Sequence, residues 1–470
     1  MQERPSVRTT SGVLRGVRED DLAVFRGIPY AAPPVGAARW RAARPHPGWA
    51  GERDASRYGE SAAQPWLPGG SPVMGSHGEP PFGEDCLTLN IWTPGADDRR
   101  RPVLVWIHGG GFLTGSGNMA RYAADTFARN GDLVAISVNY RLGPLGYLSG
   151  LGDENVWLSD QVAALRWIAA NVAAFGGDPA QITLAGQSGG ALSIAALAQH
   201  PDSRGLFQRA ILQSPPAGVE VQTPDQALAR TRSLARHLGH QDVAALRDEP
   251  WERLIRGTVG VLGEYAAFGE WSLAYHPVLD DATMPRHPFA ELAQADVDIL
   301  IGWTADEATF AFGLDPRYAT ATREQVIAWA AGRFGDQAEA MYGATGETAP
   351  GAALIRIATD MIFRTGVLRL ADQRASTRPV YVYRFDVTSP LRGGVLGATH
   401  CLDLPFTFAN LSRWSGAPFV AGLDESVTAQ VSAFLHEAWI QFARTGKPAP
   451  AWQRYTPQDR AVLVVDDSIA

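Results

Sequence analysis

The sequence has one lysine and two cysteines, and both scarcities exclude chemistry. Of its 41 basic residues only Lys447 is a lysine, in a Thr-Gly-Lys-Pro segment late in the chain. A phosphate-binding P-loop, a protein kinase and a Schiff-base enzyme each need a lysine in a defined motif, and Lys447 fits none of them. Cys86 and Cys401 form neither a Cys-x-x-Cys pair nor a zinc-binding spacing. We therefore expect no metal, no organic cofactor and a reducing compartment, the cytoplasm.

Long hydrophobic runs and excess positive charge are also missing. No uninterrupted apolar stretch reaches about 18 residues, the length that would predict a membrane span. The first residues mix charge and proline, unlike a secretion signal. The 49 acidic and 41 basic residues give a formal net charge of -8, which disfavours a nucleic-acid groove. We therefore expect neither a membrane nor a nucleic acid as partner.

Alternating secondary structure is present in the first half of the chain. Between about residues 102 and 215, short apolar runs alternate with longer amphipathic stretches, a pattern typical of a parallel sheet with crossover helices. The predicted strands there are 102–107, 132–139, 181–185 and 209–213, and the predicted helices are 159–175 and 191–199.

The second half mixes helical and strand signals. Residues 220–275 and 315–378 favour two helical insertions, and residues 425–444 a late amphipathic helix. The strand signal returns at 297–302, 379–387 and 461–465. Because no repeat or linker separates these pieces, we predict an α/β protein with one domain, residues 1–470, in which a mostly parallel sheet carries a helical cap.

Gly186-Gln187-Ser188-Gly189-Gly190 matches Gly-x-Ser-x-Gly between a predicted strand and a predicted helix. Glycines on both sides let the backbone turn sharply and expose the serine hydroxyl above the strand end. Alone the five-residue match is common, but the strand and helix around it favour a nucleophilic serine. Ser188 is the candidate nucleophile.

His108-Gly109-Gly110-Gly111 follows the first strong strand. Acyl transfer needs donors directed at a developing oxyanion, and a glycine loop at a strand end supplies backbone N–H groups for that purpose. The alternative is an ordinary tight turn in a glycine-rich protein.

A serine nucleophile needs a base and a carboxylate that orients it. In the chain order serine, acid, histidine, His400 is the base candidate because it lies in a loop after the predicted strand 379–387. Asp306 and Glu307 both follow the strand 297–302, and their spacing does not choose between them.

These residues resemble the type-B carboxylesterase and lipase family, which includes bacterial para-nitrobenzyl esterases, liver carboxylesterases and cholinesterases. The resemblance covers most of the chain. The further matching segments are 25–36 (FRGIPYAAPPVG), 84–92 (EDCLTLNIW), 139–143 (NYRLG) and 175–179 (FGGDP).

The resemblance implies an α/β-hydrolase fold and a serine carboxylesterase with no metal and no cofactor. It implies a triad in which Ser188 is the nucleophile, Glu307 the acid and His400 the base. The implied oxyanion hole consists of the backbone N–H groups of Gly110, Gly111 and Gly189. The triple-glycine loop also implies a roomy alcohol site.

The chain departs from the family pattern at the elbow, with Gln187 where glutamate is usual and Gly189 where alanine is usual. The missing carboxylate argues against a choline substrate and favours small, uncharged, apolar esters. Among aromatic residues near the motifs (Trp66, Phe112, Trp271, Phe310 and Phe312), only Phe112 is assigned to the pocket, because it directly follows the oxyanion glycines.

Two other functions remain open. A carbamate or aryl-amide hydrolase would keep the same fold and triad. A cholinesterase-like binding protein would keep the fold without catalysis. Such a protein is expected to lack the nucleophilic serine and to be a secreted, disulfide-bonded ectodomain. The sequence shows neither feature.

Overall fold

The computed structural model describes residues 4–66, 70–75, 81–271 and 273–469. The strands found there are β1 Ser6–Thr9, β2 Gly12–Arg15, β3 Val17–Glu19, β4 Leu22–Pro29, β5 Glu52–Asp54, β6 Ser61–Ala62, β7 Phe82–Gly83, β8 Thr88–Thr93, β9 Arg101–Ile107, β10 Val134–Val138, β11 Gly177–Gln187, β12 Arg209–Gln213, β13 Asp298–Thr304, β14 Val380–Phe385 and β15 Val462–Val465.

The α-helices of the described residues are α1 Asp125–Gly131, α2 Gly143–Tyr147, α3 Val156–Asn171, α4 Gly189–Gln199, α5 Pro224–His237, α6 Trp251–Tyr265, α7 Pro288–Leu292, α8 Thr309–Phe312, α9 Pro316–Ala319, α10 Arg323–Phe334, α11 Ala338–Ala344, α12 Pro350–Thr359, α13 Thr365–Arg374, α14 Leu391–Gly394, α15 Leu404–Thr407 and α16 Glu425–Thr445.

One large sheet organises the molecule. Its strand order is β15-β14-β13-β12-β11-β9-β10-β8-β4-β3. Strands β9 to β15 run parallel, whereas β8, β4 and β3 continue one side in antiparallel pairing. Because β10 and β11 lie on opposite sides of β9, the strand order reverses at β9. Ligands of such sheets bind where the order reverses, beyond the carboxyl ends of the strands.

The apolar run of β9 is buried on both faces of the sheet. Val103 and Val105 belong to one hydrophobic cluster, and Leu104 and Trp106 to a second. Successive strand residues point to opposite faces, so each face has its own core. A continuous apolar run, rather than an alternating one, is what a strand covered by helices on both sides requires.

The predicted strands and helices of the catalytic half are present with shifted ends. The helix predicted at 159–175 begins at Val156, and its last turn, Val172–Phe175, is a 3-10 helix. It stops at Gly176, whose φ of 81° suits glycine. The strand predicted at 181–185 extends over Gly177–Gln187.

The strands before residue 94 were not predicted. The run Leu22–Pro29 contains glycine and proline and has an irregular register between Phe25 and Ile28. Such a bulge disrupts the alternating pattern that predicts a strand. The family resemblance marked these segments without assigning their structure.

Helices fill most of the two predicted insertions. The range 220–275 holds α5, the 3-10 helix Val243–Asp248 and α6, and in the described residues it has no helix after Tyr265. The range 315–378 holds α9 to α13 and the π-helical turn Asp360–Arg364. The division into one domain with two cap insertions stays a prediction. Within the described ranges, each helix is too short or too polar to cross a lipid bilayer.

Candidate active site

Ser188 makes the turn between β11 and α4 by itself. Its backbone has φ 55° and ψ -123°, a conformation that a serine rarely adopts. Any residue other than glycine would add a Cβ atom at positions 186 and 190. At Gly190 that atom would lie 2.1 Å from the carbonyl oxygen of Ile107, and at Gly186 it would lie 2.8 Å from the carbonyl carbon of Gly190. The glycines of the motif are therefore required by packing around the turn. Ser188 stays partly exposed, whereas the residues on either side of it are buried.

Three glycines beside Ser188 present free amides. In the described part of the chain, the N–H groups of Gly110, Gly111 and Gly189 donate to no backbone or side-chain acceptor. Gly189 is the first residue of α4, where an amide has no partner within the helix. Gly110 and Gly111 have φ of 125° and 60°. All three line the cavity that contains Ser188.

Gln64 holds the glycine loop in place. Its Nε2 donates to the carbonyl of Gly115 at 2.8 Å, and its Oε1 accepts from the amide of Gly115 at 2.9 Å. This double contact fixes the far end of the loop that begins at His108. No sequence pattern marked Gln64, because a glutamine in a loop is ordinarily a solvated residue.

His400 and Glu307 meet inside the protein. Glu307 is fully buried and His400 is 3% exposed. Nδ1 of His400 donates to Oε2 of Glu307, while Oε1 of Glu307 accepts from the amide of Thr304 at 2.8 Å. With Nδ1 protonated by this contact, the neutral ring keeps its lone pair on Nε2. This is the tautomer that a general base needs.

Asp306 contacts a different part of the histidine loop. Its Oδ2 accepts from the amide of Ala398 at 2.9 Å, and its own amide donates to the carbonyl of Ala398 at 3.0 Å. A Cβ at Gly397 would lie 2.2 Å from Oδ2. Asp306 thus anchors the loop that carries His400, and of the two adjacent carboxylates it is that of Glu307 that contacts the imidazole.

Burial and titratable neighbours act on the pKa of His400 in opposite directions. Burial lowers the pKa of His400, but the neighbouring Cys401 and Glu307 raise it, and the net direction is upward. Asp403 is fully buried nearby. It accepts from Nε2 of Gln213 and from the hydroxyl of Tyr383, each at 2.9 Å, and burial raises the pKa of Asp403 to about 6.

A large uncharged cavity opens onto these groups. Its volume is about 580 Å³, and none of the described residues that line it is an aspartate, glutamate, lysine or arginine. The aromatic and methionine residues in its lining are Trp66, Met74, Phe82, Phe112, Met119, Tyr122, Trp271, Phe310 and Phe363. Of the aromatic residues considered from the sequence, Phe312 is the one outside this lining.

Three aromatic rings surround the imidazole of His400. The ring centroids of Trp271, Phe310 and Phe363 lie 5.3, 5.6 and 5.1 Å from that of His400. Phe112 is buried with φ 63°. An apolar cavity with a few convergent polar groups is the usual form of a small-molecule site.

Comparison with known proteins identifies the family. The family model described as "Carboxylesterase family" matches residues 3–470. The chain belongs to the carboxylesterase family. It is 62% identical over 473 residues to phenmedipham hydrolase of Pseudarthrobacter oxydans, covering 99% of this chain and 96% of the relative. It is 33% identical to para-nitrobenzyl esterase of Bacillus subtilis, covering 98% and 95%.

Solved carboxylesterases share the fold. A carboxylesterase of Geobacillus stearothermophilus superposes with a TM-score of 0.87 at 36% identity, covering 99% of this chain and 97% of that one. A thermophilic para-nitrobenzyl esterase has a TM-score of 0.88 at 32% identity with the same coverage. The predicted α/β-hydrolase fold and family resemblance are confirmed, and the protein is a carboxylic ester hydrolase.

Proposed function

We propose that this carboxylesterase hydrolyses uncharged, apolar aryl esters and aryl carbamates through a covalent intermediate on Ser188. The observation that carries the proposal is the buried contact of His400 Nδ1 with Glu307, in the cavity that also exposes the elbow serine. A nucleophile, a base and a carboxylate that orients the base are the parts that acyl transfer requires.

Each residue has one role in the proposed reaction. Ser188 Oγ attacks the carbonyl carbon while Nε2 of His400 takes its proton. The imidazolium, stabilised by Glu307, then protonates the leaving oxygen and the alcohol departs. A water molecule then attacks the acyl- or carbamoyl-enzyme and gives a proton to Nε2 of His400. The bond between the acyl carbon and Ser188 Oγ breaks, His400 returns the proton to Oγ, and the carboxylic or carbamic acid leaves.

The oxyanion of each tetrahedral intermediate is assigned to Gly110, Gly111 and Gly189. Their amides have no other acceptor in the described residues, so no existing hydrogen bond must break when the oxyanion forms. Donors fixed in advance avoid reorganisation at the moment of reaction and are each worth about 3 kcal/mol of barrier.

Two observations support the substrate class. The cavity lining carries no charged carboxylate, ammonium or guanidinium among the described residues, so an uncharged ligand enters without an unpaired ion. The relative that is 62% identical is named phenmedipham hydrolase, and phenmedipham is a carbamate. These favour aromatic carbamates beside aromatic esters.

The setting of the reaction is also part of the proposal. We assign one catalytic domain, residues 1–470, capped by the helical segments 220–275 and 315–378, and working without metal or organic cofactor. Cys86 and Cys401 are both free and buried, which supports a cytoplasmic location. The partner is a small molecule, not a nucleic acid or a membrane.

The test compares Ser188→Ala with Ser193→Ala, a matched change of a buried serine one turn along α4. We expect the wild type and Ser193→Ala to hydrolyse p-nitrophenyl acetate, butyrate and octanoate, and phenmedipham. Ser188→Ala should lose at least about 10⁴-fold in kcat. A Ser188→Ala protein with near-wild-type turnover would refute the mechanism. If the protein hydrolyses the esters but not phenmedipham, the proposal that it acts on carbamates is refuted and the proposed esterase mechanism stands.

A further inference from the structure

The side chain of Gln187 contacts Nε2 of His400, the nitrogen that acts as base in the proposed reaction. The glutamine is the last residue of β11 and directly precedes Ser188. Its side chain is buried, and Nε2 of its amide lies 2.9 Å from Nε2 of His400. The two tethers of the ring are therefore Glu307 on Nδ1 and Gln187 on Nε2.

The protonation state of Nε2 of His400 determines whether the amide of Gln187 can donate a hydrogen bond to it. When Nδ1–H points at Glu307, the neutral ring offers a lone pair on Nε2, and the amide N–H of Gln187 donates to it. The same lone pair must accept the proton of Ser188 during attack. After that transfer Nε2 carries a proton, and the amide must turn its oxygen toward the ring or give way to the leaving group.

An isosteric carboxylate at this position would act differently. A glutamate at 187 could only accept a hydrogen bond, so it would stabilise the imidazolium and add a charge beside it. An amide donates to the neutral ring and adds no charge. Residue 187 thereby influences which protonation state of His400 predominates between turnovers.

Acidic groups already surround the ring. Glu307 contacts Nδ1, Cys401 is adjacent and raises the pKa of His400, and Asp403 interacts with His400 electrostatically. The hydroxyl of Tyr383 donates to Asp403 rather than to the ring. The remaining neighbours among the described residues are aromatic rings and the uncharged cavity lining. Every titratable neighbour in that part of the chain thus favours the imidazolium, and Gln187 opposes them.

We propose that Gln187 is a positioning residue whose amide, donating to Nε2, holds His400 in the neutral form and so extends activity toward lower pH. The inference rests on the proposed function, because it takes His400 as the general base. It makes residue 187 a determinant of the pH range of the enzyme.

The test is the pH dependence of kcat/KM for p-nitrophenyl butyrate. Gln187→Glu is expected to move the midpoint of the acidic limb upward by about one pH unit or more, because a third carboxylate favours the imidazolium. Gln187→Met, nearly isosteric and uncharged, is expected to move it upward by about half a unit, because only the N–H donor is lost. Activity at the alkaline plateau should fall by less than about tenfold in both variants.

The order of the three midpoints decides the question. A purely structural glutamine would give lower plateaus with unmoved midpoints, and that result would overturn the proposal. So would a shift in Gln187→Met as large as that in Gln187→Glu. Ser188→Ala is measured alongside, and an active Ser188→Ala protein would overturn the proposed function. If Ser188→Ala is inactive but the midpoints of the two Gln187 variants do not move, the role of Gln187 alone is overturned.

Discussion

Phe112 and Gly189 share one small space beside the nucleophile. A Cβ built at Gly189 would lie 3.0 Å from the Phe112 ring, tighter than ordinary van der Waals contact. The ring therefore fills the volume that an alanine methyl would need. The resemblance places alanine at 189 in the family, so the two residues are matched to each other in this chain.

Gly189→Ala is expected to lower kcat/KM for p-nitrophenyl butyrate by about tenfold, because a shift of a few tenths of an ångström at residue 189 moves a proposed oxyanion donor. Combining it with Phe112→Leu should recover most of the loss, since the smaller side chain vacates the space. Steady-state kinetics of the two single variants and the double variant give the coupling directly. A purely additive result would show that the ring does not set the tolerance for alanine.

Glu307→Gln and Asp306→Asn separate the two adjacent carboxylates. Glu307→Gln should lower kcat by about 10³- to 10⁴-fold, because the imidazolium loses its counter-charge. Asp306→Asn should cost less than about tenfold, since an amide oxygen can still accept from the backbone of the histidine loop. The comparison uses kcat for p-nitrophenyl butyrate at the alkaline plateau. The reverse ranking would assign the acid role to Asp306.

The sequence could identify Ser188 because its motif is local. It could not choose between Asp306 and Glu307, because neighbours in a loop point in different directions and only the fold determines which carboxylate faces the histidine. The family resemblance chose Glu307, and the hydrogen bond to His400 supports that choice. The contact of Gln187 with His400 joins residues that are far apart in the chain, so the motif alone could not reveal it.

At the scale of elements, a buried ion pair joins the loop after β10 to helix α3. Arg141 contacts Asp160 through Nη2 at 2.6 Å and Nε at 2.8 Å, and their side chains are 3% and 0% exposed. Arg166 on the same helix pairs with Asp202 at 2.9 Å, but both side chains are more than half exposed. The two pairs differ mainly in their contact with water.

Arg141→Met is expected to lower the free energy of unfolding by about 3 to 5 kcal/mol, because it leaves the carboxylate of Asp160 buried without its counter-charge. Arg166→Met, the matched exposed change, should cost less than about 1 kcal/mol. Urea denaturation followed by circular dichroism measures both. Equal losses would mean that burial does not govern the contribution of the inner pair.

The strands of the parallel core were predictable from the sequence, and the strands before it were not. Strand β12 has the predicted ends because Arg209–Gln213 is a short apolar run covered on both faces. Strands β1 to β8 lie before the parallel core, and several span only two to four residues. Such short elements are determined by the neighbours they pair with, which a local pattern does not contain.

At the scale of the whole molecule, the buried carboxyl group of Asp403 makes the overall stability depend on pH. Burial raises the pKa of Asp403 to about 6, above the value of about 3.9 in an unfolded chain. Between these values the folded protein keeps a proton that the unfolded chain has released. The free energy of unfolding therefore falls as pH rises through this window, by up to about 3 kcal/mol from this group.

Asp403→Asn should remove that decline. We expect the wild type to lose about 2 kcal/mol more than the variant between about pH 4 and pH 7, because asparagine stays neutral and still accepts from Gln213 and Tyr383. Urea titrations at both pH values, compared as differences, cancel the other titrating groups. Parallel pH profiles for the two proteins would mean that Asp403 ionises normally in the fold.

The cavity was the least predictable feature of the molecule. Its lining combines residues from Gln64 to Cys401, brought together by loops at the end of the sheet. The glutamine in place of the family's glutamate at residue 187 predicted an uncharged, apolar substrate, but Phe112 alone was assigned to the pocket. Trp271 lies in the segment 220–275, Phe310 in α8 and Phe363 in the segment 315–378, so only the fold brings the three rings to His400.

The uncharged lining of the cavity has a consequence for the end of each turnover. Hydrolysis of a neutral ester produces a carboxylic acid that ionises at neutral pH. The described residues around it include no lysine or arginine to hold the anion, and an anion in an apolar pocket lacks the solvation that water provides. Apart from the oxyanion amides, the lining offers such an anion little to hold it, so the acid product should leave readily. An aromatic alcohol with a pKa of about 10 stays neutral at pH 7 and should be the stronger product inhibitor.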